Sequence, residues 1–104
     1  MRNLNFKVTG QKLSKEGDFD NIVVGSKGYL KTCFTFDSEW KDFAKAAVFK
    51  TNGGSEIPVK IDAHGECMIP DEVTDCCSIS VKVVGKSKAN QIIVTNVVSF
   101  LQNS

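Results

Sequence analysis

The residue best suited to proton chemistry near neutral pH is histidine, and this sequence has one, His64. It lies two residues after Asp62, in Asp62-Ala63-His64-Gly65. Four cysteines, Cys33, Cys67, Cys76 and Cys77, supply thiols that a base could activate. Asp-x-His-Gly is also turn composition, and a Cys–His pair needs a proximity in space that spacing does not supply. The simpler expectation is a surface turn. The cysteines match no zinc pattern, since no C-x-x-C pair occurs and only one histidine is available. Cys76 and Cys77 are adjacent, and a bond between neighbours strains the peptide link. Reduced thiols are expected, with Cys33 and Cys67 packed in strands as small apolar groups.

Other chemistries fail on spacing. Gly85-Lys86-Ser87 ends like a phosphate-binding loop, but that loop needs a glycine five residues before its last one. Ser80 stands there. Asp71 with Glu72, and Asp18 with Asp20, are paired carboxylates beside Gly or Pro turn signals, where solvated loops explain them. No calcium-loop spacing is present. Phe34, Phe36, Trp40, Phe43 and Phe49 suggest a base-stacking platform, yet the flanking positions are threonines and mixed charges, so core packing is expected. Lys82, Lys86 and Lys88 form the one basic cluster and are expected in a solvated loop. Catalysis needs several converging groups. The sequence supplies isolated ones, so no catalytic, cofactor-binding or metal-binding residue is assigned and no enzyme is expected.

The chain that must position these residues is 104 residues long, 41% apolar and 24% charged, with a net charge of +1. One domain, 1–104, is expected, large enough to build a core without metal or disulfides. The balanced charge argues against nucleic acid as a partner. The N-terminus, Met1-Arg2-Asn3-Leu4-Asn5-Phe6-Lys7, lacks the apolar stretch of a signal peptide. No apolar run reaches the roughly 20 residues of a membrane helix. Synthesis in a cytoplasm and no membrane partner are the expectations.

Alternation with period two runs through most of the chain, which is the strand signature. Leu4, Phe6 and Val8 share a face. Phe19 to Val24 reads as a second strand, and Tyr29 to Phe36 as a third. Asp37-Ser38-Glu39-Trp40 places a capping residue before acids and predicts one short helical turn. Trp40 and Phe43 would fold over the end of the core. Ala46 to Thr51, Glu56 to Ile61, Glu66 to Ile69, Ser78 to Val84 and Gln91 to Leu101 complete the set. Asn52-Gly53-Gly54 is a hairpin turn, and Pro58 marks an edge strand or a bulge. Gly85 to Asn90 is a loop. The last strand is almost continuously apolar, so it is either buried on both faces or pairs with a neighbouring chain. About eight strands with frequent turns predict an all-β fold, a small antiparallel β-sandwich, Ig-like or a partly closed barrel.

Several segments carry a resemblance. They are Phe34-Thr35-Phe36-Asp37-Ser38-Glu39-Trp40-Lys41-Asp42-Phe43, Lys45 to Phe49, Val59 to Asp62, Gly65 to Val73, Ile79 to Val81 with Val84-Gly85, and Ile93 to Val98. Together they resemble the small β modules of phage minor structural proteins, of the tail, baseplate, head-fibre or capsid-decoration type. The likeness runs from about Phe6 to Phe100, and its most distinctive part is the Phe34–Trp40 corner. The resemblance implies a virion structural protein that docks on capsid, tail or baseplate through protein contacts. Other virion proteins are the partners it implies, with a homo-oligomer possible. It implies no catalytic or metal residue. The chain departs in ending at Ser104, where the likened proteins often continue into a fibre, so a free-standing adaptor, a capsid decoration protein or an anchor whose partner is a separate chain is expected. The alternative is a small phage or mobile-element protein that binds and inhibits a host factor.

Overall fold

A computed structural model describes all 104 residues. The fold is all-β, as the alternation predicts. Its strands are β1 (Arg2–Thr9), β2 (Lys12–Glu16), β3 (Leu30–Phe36), β4 (Ala44–Thr51), β5 (Ile57–Lys60), β6 (Glu66–Met68), β7 (Ser78–Lys86), β8 (Ile92–Val94) and β9 (Val98–Leu101). Single 3-10 turns stand at Ser38–Trp40 and Asp71–Val73. One sheet is four-stranded, in the order β2-β1-β3-β6. The other is five-stranded, with β5-β4-β7 followed by β8 and β9 side by side along β7.

The sheets pack face to face over Leu4, Phe6, Val8 and Leu13 from one side and Ala47, Phe49, Ile79, Val81, Val83 and Phe100 from the other. Each of these sits on the inward parity of its strand, so burial and alternation agree. Trp40 is fully buried at one end. Its indole Nε1 donates to the Gly10 carbonyl at 2.8 Å, which satisfies the ring's one polar atom. Asp37 caps the same turn, accepting from Glu39 N at 3.1 Å and from Gly10 N at 2.8 Å. The corner therefore fixes the β1–β2 turn as well as closing the core. Gly85 lies beneath the indole, and a Cβ there would meet Trp40 Cζ3 at 2.7 Å.

Three departures from the predicted elements have physical causes. Phe19 to Val24 is not a strand. Residues 17 to 29 form an irregular strap whose carbonyls at Asp18, Asp20 and Asn21 bond the Arg2 guanidinium. Phe19 and Ile22 are apolar because the strap covers the core, with Phe19 edge-on to Phe6 at 5.3 Å between ring centroids. The strap also carries the chain across the sheet, so β3 runs parallel to β1 while every other strand pair is antiparallel. The real second strand is β2, Lys-Leu-Ser-Lys-Glu, which carries one inward apolar residue, Leu13, and so has no visible alternation.

The third departure is at the C-terminal end. Gly85 and Lys86 belong to β7, and the loop starts at Ser87. The predicted strand from Gln91 to Leu101 is interrupted by a one-residue bulge. Thr95 faces Val83 while Val98 faces Val81, so three steps on one strand match two on the other. The Thr95 hydroxyl accepts the Val83 N–H at 2.9 Å and donates to the Asn96 carbonyl at 2.9 Å, which repairs the ladder locally.

The bulge turns Asn96 toward the other sheet. Its side-chain amide pairs with the main chain of β2 on both sides, accepting from Leu13 N at 2.8 Å and donating to Leu13 O at 3.1 Å. Asn96 N reaches Gln11 O at 3.2 Å, Gln11 Nε2 reaches Val94 O at 3.0 Å, and Lys15 Nζ reaches Ser99 O at 3.1 Å. These bonds lace the edge of one sheet to the edge of the other. Replacing Asn96 with Ala is expected to cost roughly 1–3 kcal/mol, since two hydrogen bonds to strand main chain are lost together. Gly85→Ala is expected to cost about 1–3 kcal/mol by overpacking against Trp40. Urea unfolding of both variants checks these values, and an unchanged midpoint in either would contradict the corresponding contact.

Candidate functional site

The residues that could do chemistry are placed apart. His64 is exposed in its turn. Asp62 spends its carboxylate on the same turn, accepting the N–H groups of His64 and Glu66 at 2.9 Å each. The Glu66 amide, then that of His64, hold the Asp62 carboxyl below its ordinary range, partly opposed by desolvation. Gly65 takes a positive φ of 81° there, and a side chain would strike the Phe34 carbonyl. The Asp-x-His-Gly segment is thus a shaped turn, with Phe34 N bonded to Gly65 O.

The cysteines are free thiols. Burial, then the Glu66 carboxylate, push the Cys33 thiol up, with Sγ 3.9 Å from Glu66 Oε2. Burial pushes Cys67 up as well, against the hydrogen bond from Thr32. Both shifts favour the thiol over the reactive thiolate. Cys76 is half-buried and Cys77 exposed. Asp71 Oδ1 accepts Gly28 N at 3.1 Å, and Lys27 bridges Asp71 O, Thr74 Oγ1 and Asp75, tying the strap to the second 3-10 turn. Glu72 is exposed beside it. Asp18 Oδ1 accepts Asp20 N at 2.7 Å within the strap. The paired carboxylates are therefore local turn devices, and no three His, Cys, Asp or Glu side chains gather as a metal cluster.

The phosphate-loop candidate dissolves into strand. Gly85 pairs with Lys45 and Ile93 inside the five-stranded sheet, and Ser87 accepts Gln91 N at 3.1 Å in the following turn. The aromatics run as an internal chain. Phe34 to Phe36 is 6.1 Å, Phe36 to Trp40 is 5.2 Å and Trp40 to Phe43 is 6.2 Å between centroids. Phe49 is fully buried, so no platform faces solvent.

What the structure does bring together is a surface. Parity puts Ala44, Ala46, Val48 and Lys50 of β4, Pro58 and Lys60 of β5, and Ser78, Ser80, Lys82, Val84 and Lys86 of β7 on the outer side of the five-stranded sheet. Ile92 and Val94 of β8 lie beside Lys86 and Val84 on that side, and Leu101 of β9 beside Ser78. One row across the sheet reads Val94, Val84, Ala46, Lys60. The next holds Lys82, Val48 and Pro58, with Val97 of the bulge lining the same hollow as Val48 and Lys82. Ile92 is 68% exposed, Val97 60% and Leu101 70%. The outer side of the four-stranded sheet differs: it carries Asn3, Asn5, Lys7 and Thr9 of β1, Lys12, Ser14 and Glu16 of β2, Lys31, Cys33 and Thr35 of β3, and Glu66 and Met68 of β6. One face has Ala46, Val48, Val84 and Val94 side by side, and the other is mostly polar, with Cys33 and Met68 as its half-buried exceptions.

Lysines rim the apolar face. Lys50, Lys60, Lys82 and Lys86 stand against the single acid Glu56, which pairs with Lys82 at 3.1 Å. Lys82 and Lys86 thus belong to this face, whereas composition alone places them in a loop with Lys88. The sequence hint of the face is the largely apolar stretch from Ile92 to Leu101, interrupted at Thr95, Asn96 and Ser99, which fits neither full burial nor simple alternation.

The edges of the five-stranded sheet are less available than that run suggests. On β5, Ile61 N bonds Lys45 O, so the odd residues pair with β4 and Pro58 and Lys60 turn their main chain to the open side. Pro58 therefore removes a donor where an added strand would need one. On β8 and β9 the outward groups of Val94, Asn96, Ser99 and Asn103 are taken by Gln11, Lys15, Ile22 and Val24. The Gln91–Leu101 edge is thus engaged by its own molecule at Val94, Asn96 and Ser99, while the outward main-chain groups of Ile92 and Leu101 carry no such bond.

Comparison with protein-family models, with curated proteins and with solved structures gives no match. The Asp62 turn has its own test. A carboxyl held low in the folded state stabilises above its unfolded pKa, and that contribution is lost as pH falls through the folded value. Asp62→Asn is expected to lower Tm at about pH 5 and to narrow the gap from the native chain at about pH 2. A gap that does not change with pH would contradict the assignment.

Proposed function

We propose that this chain is an assembly protein of a phage particle, a virion component that docks on capsid, tail or baseplate by protein–protein contacts and performs no catalysis. The observation that carries this reading is the difference between the two sheet faces. A solvated sandwich needs only mostly polar outer faces, as the four-stranded sheet has. Val84 and Val94 support each other as a cross-strand pair, but Ile92 and Val97 keep most of their apolar surface in water. An apolar centre inside a polar rim is the layout of a protein interface. The resemblance of the Phe34–Trp40 corner to phage structural modules supplies the particle as the place of assembly.

The scattered placement of His64, the cysteines and the carboxylates supports the same reading, because they do not converge on one site and Asp62, Asp71 and Asp18 accept main-chain N–H groups. No helix is long and apolar enough to cross a membrane. Quantitative mass spectrometry of gradient-purified virions is the test. The chain is expected in a fixed ratio to a capsid, tail or baseplate protein. Its absence from virions, together with a stoichiometric host protein bound to it in infected cells, would contradict the proposal in favour of a host-factor inhibitor.

A further inference from the structure

The partner's surface chemistry can be taken further, on the basis of the docking reading above. We propose that the outer face of the five-stranded sheet receives an acidic protein surface, apolar at its centre and carrying Asp or Glu around it, and not a second copy of this chain. The charge on the face carries the inference. Lys50, Lys60 and Lys86 lie around Val84, Val94, Ala46 and Val48, Lys82 stands among them opposite Val48, and Glu56, paired with Lys82, is the one acid there. The chain as a whole carries only +1, so positive charge is concentrated on this face and the remainder is net acidic.

Two copies meeting through this face would set one lysine rim against another across the roughly 10 Å that separates packed sheets. Like charges so placed oppose association. An acidic rim gives Lys50, Lys60 and Lys86, which form no salt bridge within the chain, a partner and steers the encounter. Strand-to-strand joining of two copies is opposed separately, by Pro58 on one edge and by the lacing from Gln11, Asn96 and Lys15 on the other. Nucleic acid would also supply negative charge, but the face has no aromatic ring and no arginine with which to stack on or read a base. An anionic bilayer would supply it too. The apolar residues here are short aliphatic side chains on a sheet, without the aromatic belt or amphipathic helix of a membrane-inserting surface.

A carbodiimide joins a lysine amine to a carboxylate only where the two are in contact, so it reads this arrangement directly. The test is carbodiimide cross-linking of the full chain in infected cells, followed by peptide mass spectrometry. Links are expected from Lys60, Lys82 or Lys86 to Asp or Glu of a different protein. The double variant K60E/K86E is expected to weaken that complex by about tenfold or more, and K7E/K12E on the opposite sheet to leave it within about twofold. Circular dichroism of both variants confirms that the fold is retained. Links from these lysines to carboxylates of another copy, links only through Lys7, Lys12 or Lys31, or no links at all would overturn the proposal. So would binding of single-stranded RNA or of phosphatidylserine vesicles that K60E/K86E abolishes. If the acidic partner is a host protein, the virion assignment fails and the surface chemistry stands. If the chain is in virions but linked through its four-stranded sheet, the reverse holds.

Discussion

One extra residue in the last strand sets much of the architecture. A strand that continued in register from Gln91 to Leu101 would keep the same parity throughout and put Phe100 on the outer side with Ile92 and Val94. The bulge at Thr95 to Val97 shifts that parity, and Asn96 comes to lie over Leu13 with a side-chain amide that imitates a peptide group. The Thr95 hydroxyl serves the Val83 N–H that the bulge would otherwise leave unpaired in the interior. Unpaired buried main-chain groups are costly, so Thr95 and Asn96 act together. The result is a sandwich whose two sheets are hydrogen-bonded along one side, partway to a barrel.

The opposite side is closed by covalent continuity. β5 leads through the Asp62 turn into β6 and so passes from one sheet to the other, with Asp62 N bonded to Glu66 O at 2.9 Å. Trp40 fills one end, and the strap with Phe19 and Ile22 packs on the core. Proteins of this class have open strand edges to protect, and this one protects them with a proline, a side-chain lace and a strap. With most of the β8–β9 edge laced to β2 and the strap, the outer faces are the most extended surfaces left. Only one of them is apolar at its centre, and its lysine rim gives it a sign.

Much of this was legible in the sequence. The all-β class followed from alternation in Leu4 to Val8 and in Leu30 to Phe36, and the Trp40 corner from an aspartate cap ahead of two aromatics. Pro58 marked an edge strand, as found. β2 was not legible, because at an edge strand a single inward leucine suffices and Lys15 can lie along the rim with its amine on Ser99. The strap was misread because Phe19, Ile22 and Val24 look like strand residues. Apolar content reports burial, and burial does not require a ladder. The bulge was hidden for a related reason: parity is a relation between two strands, and one strand's residues do not show it. The apolar face was only hinted at by the stretch from Ile92 onward and took shape once β4, β7 and β8 were laid side by side, since its apolar residues come from separate segments.

The central claim is that the chain meets its partner through the outer face of the five-stranded sheet. Lysine acetylation by acetic anhydride, compared between the free chain and the assembly that contains it, tests this most directly. The account predicts that Lys50, Lys60, Lys82 and Lys86 are modified in the free chain and shielded in the assembly, while Lys7, Lys12 and Lys31 react alike in both. Shielding of Lys7, Lys12 and Lys31 with the other four left reactive would contradict it.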